Sequence, residues 1–114
     1  QICTTVSIFN IFSLAKIAFW VKQYQPKFFY VNTLFDPDYF NIQTLPKNVK
    51  NIVNSRYSML TDFQPTLRFM NSADRDTPEM RKQRQDRILT TDAYRHENFG
   101  DVFPLLNKVL RVYD

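Results

Sequence analysis

A chain of 114 residues has room for one domain and one hydrophobic core. Its composition, 44% hydrophobic and 23% charged, excludes wholesale disorder, and a formal charge of +4 is too mild to identify an anionic partner by itself. A single cysteine excludes an internal disulfide framework and any cysteine-rich metal cluster held by this chain alone; Cys3 reads as a buried core thiol in a reducing compartment.

The chain opens on a strand-like run, Ile2-Cys3-Thr4-Thr5-Val6-Ser7-Ile8-Phe9, and residues 4–10 read as a buried strand. Thr5 and Ser7 fall on one face, Val6 and Ile8 on the other. Ser13 is placed to cap a helix in which Leu14, Ile17, Ala18 and Val21 recur at helical spacing and Pro26 is the stop. A second strand is predicted over 27–34, with Phe29, Val31 and Thr33 on one face and Phe28, Tyr30, Asn32 and Leu34 on the other. Strand, helix, strand with a connection this long implies parallel pairing and a right-handed crossover.

Asp36-Pro37-Asp38 has turn chemistry. Residues 39–44 read as a short extended segment, and Pro46 suits the first turn of a helix carrying Val49, Ile52, Val53 and Tyr57 on one side. Residues 61–76 are polar, contain Pro65 and read as a connection with some order near Leu67 to Met70. Thr77-Pro78-Glu79 combines a capping hydroxyl, a proline at the first helical position and an acid against the dipole, starting a helix that runs to about Tyr94. Gly100 falls in the following turn, and 102–112 forms a last short helix.

Chemistry-bearing clusters are few. The run Arg81-Lys82-Gln83-Arg84-Gln85-Asp86-Arg87 spreads its charges around a helix, so it reads as a solvated face rather than a phosphate-binding surface, and most of the aromatic residues that could stack on bases sit at core spacing. His96, with Asp92 and Glu97, reads as a polar helix terminus rather than an acid–base centre. No nucleophile elbow or glycine-rich phosphate loop is present. The polar strand residues say more. Strands of a sheet covered on both faces usually read as near-continuous apolar runs, yet Thr5, Ser7, Tyr30 and Asn32 interrupt these two. Either they line a lumen that holds a ligand, with Asn10 and Asn32 near the C-terminal strand ends, or they satisfy one another by hydrogen bonding.

Taken in order, Thr5-Val6-Ser7-Ile8-Phe9-Asn10, Phe19-Trp20, residues 32–34, Asp36-Pro37-Asp38-Tyr39-Phe40-Asn41-Ile42-Gln43-Thr44-Leu45-Pro46, Leu89 to Arg95, Phe99, and Asp101-Val102-Phe103-Pro104-Leu105 are familiar. Over residues 4–106 the chain resembles the C-terminal part of radical S-adenosylmethionine proteins of the twitch-domain type. The resemblance implies an α/β fold: the last β/α units of a partial (β/α) barrel (a partial TIM barrel) with parallel strands over 1–60, and a C-terminal helical extension over 61–114. It implies that the whole protein uses S-adenosylmethionine and a four-iron–four-sulfur cluster held by a CxxxCxxC loop, and acts on a small-molecule or peptide substrate. That loop is absent here, as is the family's glycine-bearing adenine-contact motif. Neither cofactor is therefore expected on this segment alone, and no catalytic or metal-ligating residue is assigned to it.

The expectation is a C-terminal fragment contributing barrel wall, inactive alone, with Asn10, Tyr30 and Asn32 as lumen candidates and the remainder of its own barrel as partner. The opening Gln1 and the single glycine also suggest a piece of a longer polypeptide. The alternative is a small basic intracellular module binding nucleic acid or a protein, although nucleic acid is the less expected partner. Around residues 8–21 the longest apolar stretch is broken by Asn10, Ser13 and Lys16, so no membrane span is expected and the location is expected to be cytoplasmic.

Overall fold

In the computed structural model, which describes residues 2–112, the β-branched opening run forms β1 (Ile2–Val6). It pairs in parallel with β2 (Phe29–Thr33), in a register running from Ile2 opposite Phe29 to Val6 opposite Thr33. The predicted strand over 4–10 ends early for a local reason. The Asn10 side chain accepts from the Ser7 N–H and donates to the Thr5 carbonyl, both at 2.9 Å, folding residues 7–10 into a turn. A 3-10 turn (Ile11–Ser13) leads into α1 (Leu14–Tyr24), where Ser13 occupies the cap position without a side-chain capping bond. Gln25 then closes the helix in the left-handed region at φ 44°, its N–H bonded to Val21.

The sheet has these two strands among the described residues, and the rest of the fold is helical. Two further segments depart from the sequence expectation. Residues 39–44 are not extended but lie in consecutive 3-10 turns (Asp38–Phe40 and Ile42–Thr44), because polar side chains there bond backward onto the chain. Asn41 accepts from the Gln43 N–H at 2.8 Å, and the Thr44 hydroxyl donates to the Asn41 carbonyl at 2.6 Å. Nor are residues 61–76 mainly a connection. A 3-10 turn (Thr61–Phe63) precedes a genuine helix, α3 (Gln64–Asn71), with Pro65 in the first turn, where its missing N–H has no intrahelical partner to lose.

The remaining helices are α2 (Lys47–Tyr57), α4 (Pro78–Arg95), α5 (Phe99–Val102) and α6 (Pro104–Leu110). Thr77 caps α4 by accepting from the Met80 N–H, as its sequence signature indicates. Gly100 sits inside α5 rather than in a turn; a Cβ there would come within 3.0 Å of the Asn98 side-chain oxygen and 3.1 Å of the Asn107 amide nitrogen. One apolar core runs through the whole arrangement, from Val6, Ile8 and Leu14 to Val49, Val53, Tyr57, Phe63 and Met70 and on to Ile88, Phe99 and Leu106. On α2 the predicted stripe is buried at Val49, Val53 and Tyr57, whereas Ile52 faces out.

Candidate functional site

Alternation along the two strands divides their side chains cleanly. Val6 is buried and Phe29 and Val31 pack against the core, while Cys3, Thr5, Tyr30 and Asn32 lie on the opposite, exposed face. The register sets Cys3 beside Tyr30 and Thr5 beside Asn32, so these four form one polar patch. Cys3 is thus an exposed thiol and not the core thiol its small size suggests. Asn32 donates from Nδ2 to Cys3 Sγ at 3.1 Å, and the Tyr30 ring stacks on Phe28 with centroids 6.3 Å apart. That is little mutual satisfaction for a face of this polarity, and none of the described residues covers it.

The structure brings two of the three lumen candidates together. Tyr30 and Asn32 share the exposed face, whereas Asn10 lies beyond the end of β1 with both ends of its amide engaged by the Thr5 and Ser7 backbone. It imitates the peptide group of a neighbouring strand. At the other edge of the pair, the Leu34 N–H bonds to the Val6 carbonyl. By the alternation of a parallel ladder, the Phe29, Val31 and Thr33 backbone groups then point away from β1. They open onto a cavity of about 720 Å³, one wall formed by residues 29–35 and the other by Asp62, Pro65, Thr66 and Phe69. Thr5, Tyr30 and Asn32 belong to the same cavity, which therefore wraps around the free edge of β2 onto the polar face.

Aromatic residues assigned to core spacing are also found outside. Phe19, Trp20 and Tyr24 on α1, and Phe28, Tyr30 and Phe35 around β2, are all exposed. Helical periodicity could have shown this for α1: Lys16, Phe19, Trp20, Gln23 and Tyr24 follow i, i+3, i+4, i+7, i+8 spacing on the side opposite Leu14 and Ala18.

A second polar cluster is buried and was missed. Arg84, from the run that reads as a solvated face, is 4% exposed and donates to the Thr44 hydroxyl at 3.3 Å. Its burial lowers the guanidinium pKa, opposed by the charge of Asp76. Lys50 is also buried and donates to the Ala73 carbonyl at 3.0 Å; burial lowers its pKa, opposed by Asp74 and Asp76. Asp76 takes two hydrogen bonds from Arg81, at 2.6 and 2.5 Å, which hold its carboxyl below the ordinary value. Each of these groups is engaged by a protein partner, which marks the cluster as structural. His96 occupies the left-handed cap of α4 at φ 57° and is exposed, and Asp92 accepts from the Phe99 N–H at 2.7 Å.

The residues do not fit an iron–sulfur cluster. Three thiolates are required for the site the family resemblance implies, the chain has one cysteine, and no three His, Cys, Asp or Glu side chains converge among the described residues. No helix among the described residues is long and apolar enough to cross a membrane. No family model, curated protein or solved structure matches this chain.

Proposed function

We propose that this chain forms the closing β/α units of a partial (β/α) barrel in a radical S-adenosylmethionine protein of the twitch-domain type. It supplies barrel wall and no cluster ligand, and is inactive alone. The family assignment rests on the ordered motifs of the sequence; the observation that carries the structural part is the uncovered polar face of a parallel pair. Parallel sheets are normally covered on both faces, and a two-stranded sheet is marginal by itself. Here one face packs on the core and the other offers Thr5, Tyr30 and Asn32 to solvent. In a closed or nearly closed barrel such a face is the lumen, where hydroxyl and amide groups orient a bound molecule. Tyr30 and Asn32 are the binding residues of this reading; Asn10 holds the turn beside them.

The test begins with the coding region upstream of Gln1. The proposal expects a CxxxCxxC loop there, and the extended polypeptide, reconstituted anaerobically with iron and sulfide and reduced with dithionite, should bind a cluster and cleave S-adenosylmethionine to methionine and 5′-deoxyadenosine. A start codon immediately before Gln1 defeats the proposal, as does an extended polypeptide without the loop.

A second reading has one observation in its favour. The first 35 residues hold three lysines and no acid, and they carry the exposed aromatic residues of α1 and β2. A basic module docking an acidic protein or a nucleic acid would use that surface, with binding that weakens steeply as salt is raised.

A further inference from the structure

At the C-terminal end of the strands lies a second cavity, of about 300 Å³, which the barrel-wall reading leaves without a role. Its floor is a cluster of phenylalanines. Phe9, three residues beyond the end of β1, contacts Phe40 at 4.7 Å, Phe103 at 5.5 Å and Phe99 at 6.1 Å between ring centroids. Phe99 and Phe103 are 5.2 Å apart. A backbone bond from Ile8 to the Phe40 carbonyl at 3.1 Å fixes the first pair beside the strand end. One wall is the last two turns of α4, which contribute Arg87, Ile88, Thr91, Asp92 and Arg95; Glu97 lies at the rim.

The charges of this wall differ in how they are used. Asp92 is buried and receives the Phe99 N–H, so it fixes the entry to α5. Arg87 and Arg95 are exposed, and neither is held in an ion pair among the described residues. Sitting eight positions apart on α4, they border the cavity about 12 Å from each other along the helix axis. An aromatic floor, a polar wall with cations at the margin and a volume at the small end of the ligand-site range have a definite complement. Ligands of parallel α/β folds also gather at the C-terminal strand ends.

We infer that this cavity binds a small aromatic carboxylate, its ring on the phenylalanine floor and its acid group on Arg87 or Arg95. Glu97 at the rim disfavours a second negative charge on the same molecule. The site shares no residue with the polar face of β1 and β2 and does not depend on the barrel assignment.

The experiment is an amide-resolved NMR titration of the chain with three probes: 3-phenylpropionate, phenylethylamine and acetate. Phenylpropionate should shift the amides of Thr91, Arg95, Phe99 and Val102, and should bind at least about tenfold more tightly than phenylethylamine, a ratio set by one charge-assisted contact, and than acetate, a ratio set by the ring on the phenylalanine floor. Arg87→Gln or Arg95→Gln should weaken phenylpropionate about tenfold without weakening phenylethylamine, and the one that does so identifies the contact. Val102 lines the cavity and is 59% exposed, so Val102→Trp should fold normally and block binding. Equal binding of phenylethylamine, shifts confined to other parts of the chain, no binding of phenylpropionate at millimolar concentration, or wild-type affinity in both arginine variants overturns the inference.

Discussion

The polar residues of the parallel strands and those of the 38–84 region have similar chemistry and opposite circumstances. Around Asn41, Thr44, Lys50, Asp76 and Arg84, polar groups have been drawn into the interior, and no buried side-chain nitrogen or oxygen among the described residues lacks a hydrogen-bond partner. On the exposed face of β1 and β2, the side chains of Thr5, Tyr30 and Asn32 sit in solvent with a single side-chain hydrogen bond among the described residues, Asn32 to Cys3. The comparison teaches that polarity in a sequence does not announce its use. A buried polar group must be satisfied by the fold itself, because leaving it unpaired costs roughly 1–3 kcal/mol. An exposed one is under no such constraint and stays available for a ligand or for further polypeptide.

Substitutions on the two sides test this contrast. The largest effect belongs to the apolar core that carries the buried cluster: Phe63→Ala removes a fully buried ring packed near Phe29 and should cost about 3–5 kcal/mol in urea unfolding. Next comes Asn41→Ala, which deletes the cap on Gln43 and leaves its buried N–H unpaired, a loss of about 1–2 kcal/mol. Asn32→Ala on the open face should stay within about 0.5 kcal/mol of wild type. If Asn32→Ala proved as damaging as Asn41→Ala, the open face would be structural and the contrast would fail.

Acid gives a subtler test. Hydrogen bonding from Arg81 lowers the pKa of Asp76, so folding favours the ionised carboxyl. Its contribution is fully present above the unfolded value, near 3.9, and is lost as pH falls through the lower folded value. Unfolding midpoints measured from pH 6 down to pH 2 should therefore decline less steeply for Asp76→Asn than for wild type in the acidic range. A parallel decline would show that the Arg81 pair contributes nothing to acid stability.

Much of the backbone was legible beforehand. The parallel strand–helix–strand order, the helix beginning at Pro78 and the buried side of α2 follow from alternation, periodicity and capping chemistry, which are local. The segments misread are those where a side chain overrode the pattern. Asn10 ends the first strand, Asn41 and Thr44 wind an apparently extended stretch into 3-10 turns, and Pro65 begins a helix instead of preventing one. Burial of Arg84 was not legible at all, because it depends on Thr44, forty residues away in the chain. Of the site, Tyr30 and Asn32 were identifiable as polar interruptions of apolar strands. That they would share an open face with Cys3 required the register. The aromatic cavity at the end of α4 was hidden because its walls come from four separate stretches of chain.

Cys3, the chain's one cysteine, lies exposed on the polar face and reports on whether further polypeptide covers it, as proposed. Its alkylation rate should be followed by mass spectrometry of the tryptic peptide ending at Lys16, in the 114-residue chain and in the polypeptide extended through its upstream coding region. Labelling of Cys3 should be rapid in the short chain and strongly suppressed in the extended one. Equal reactivity in both would contradict the proposed cover.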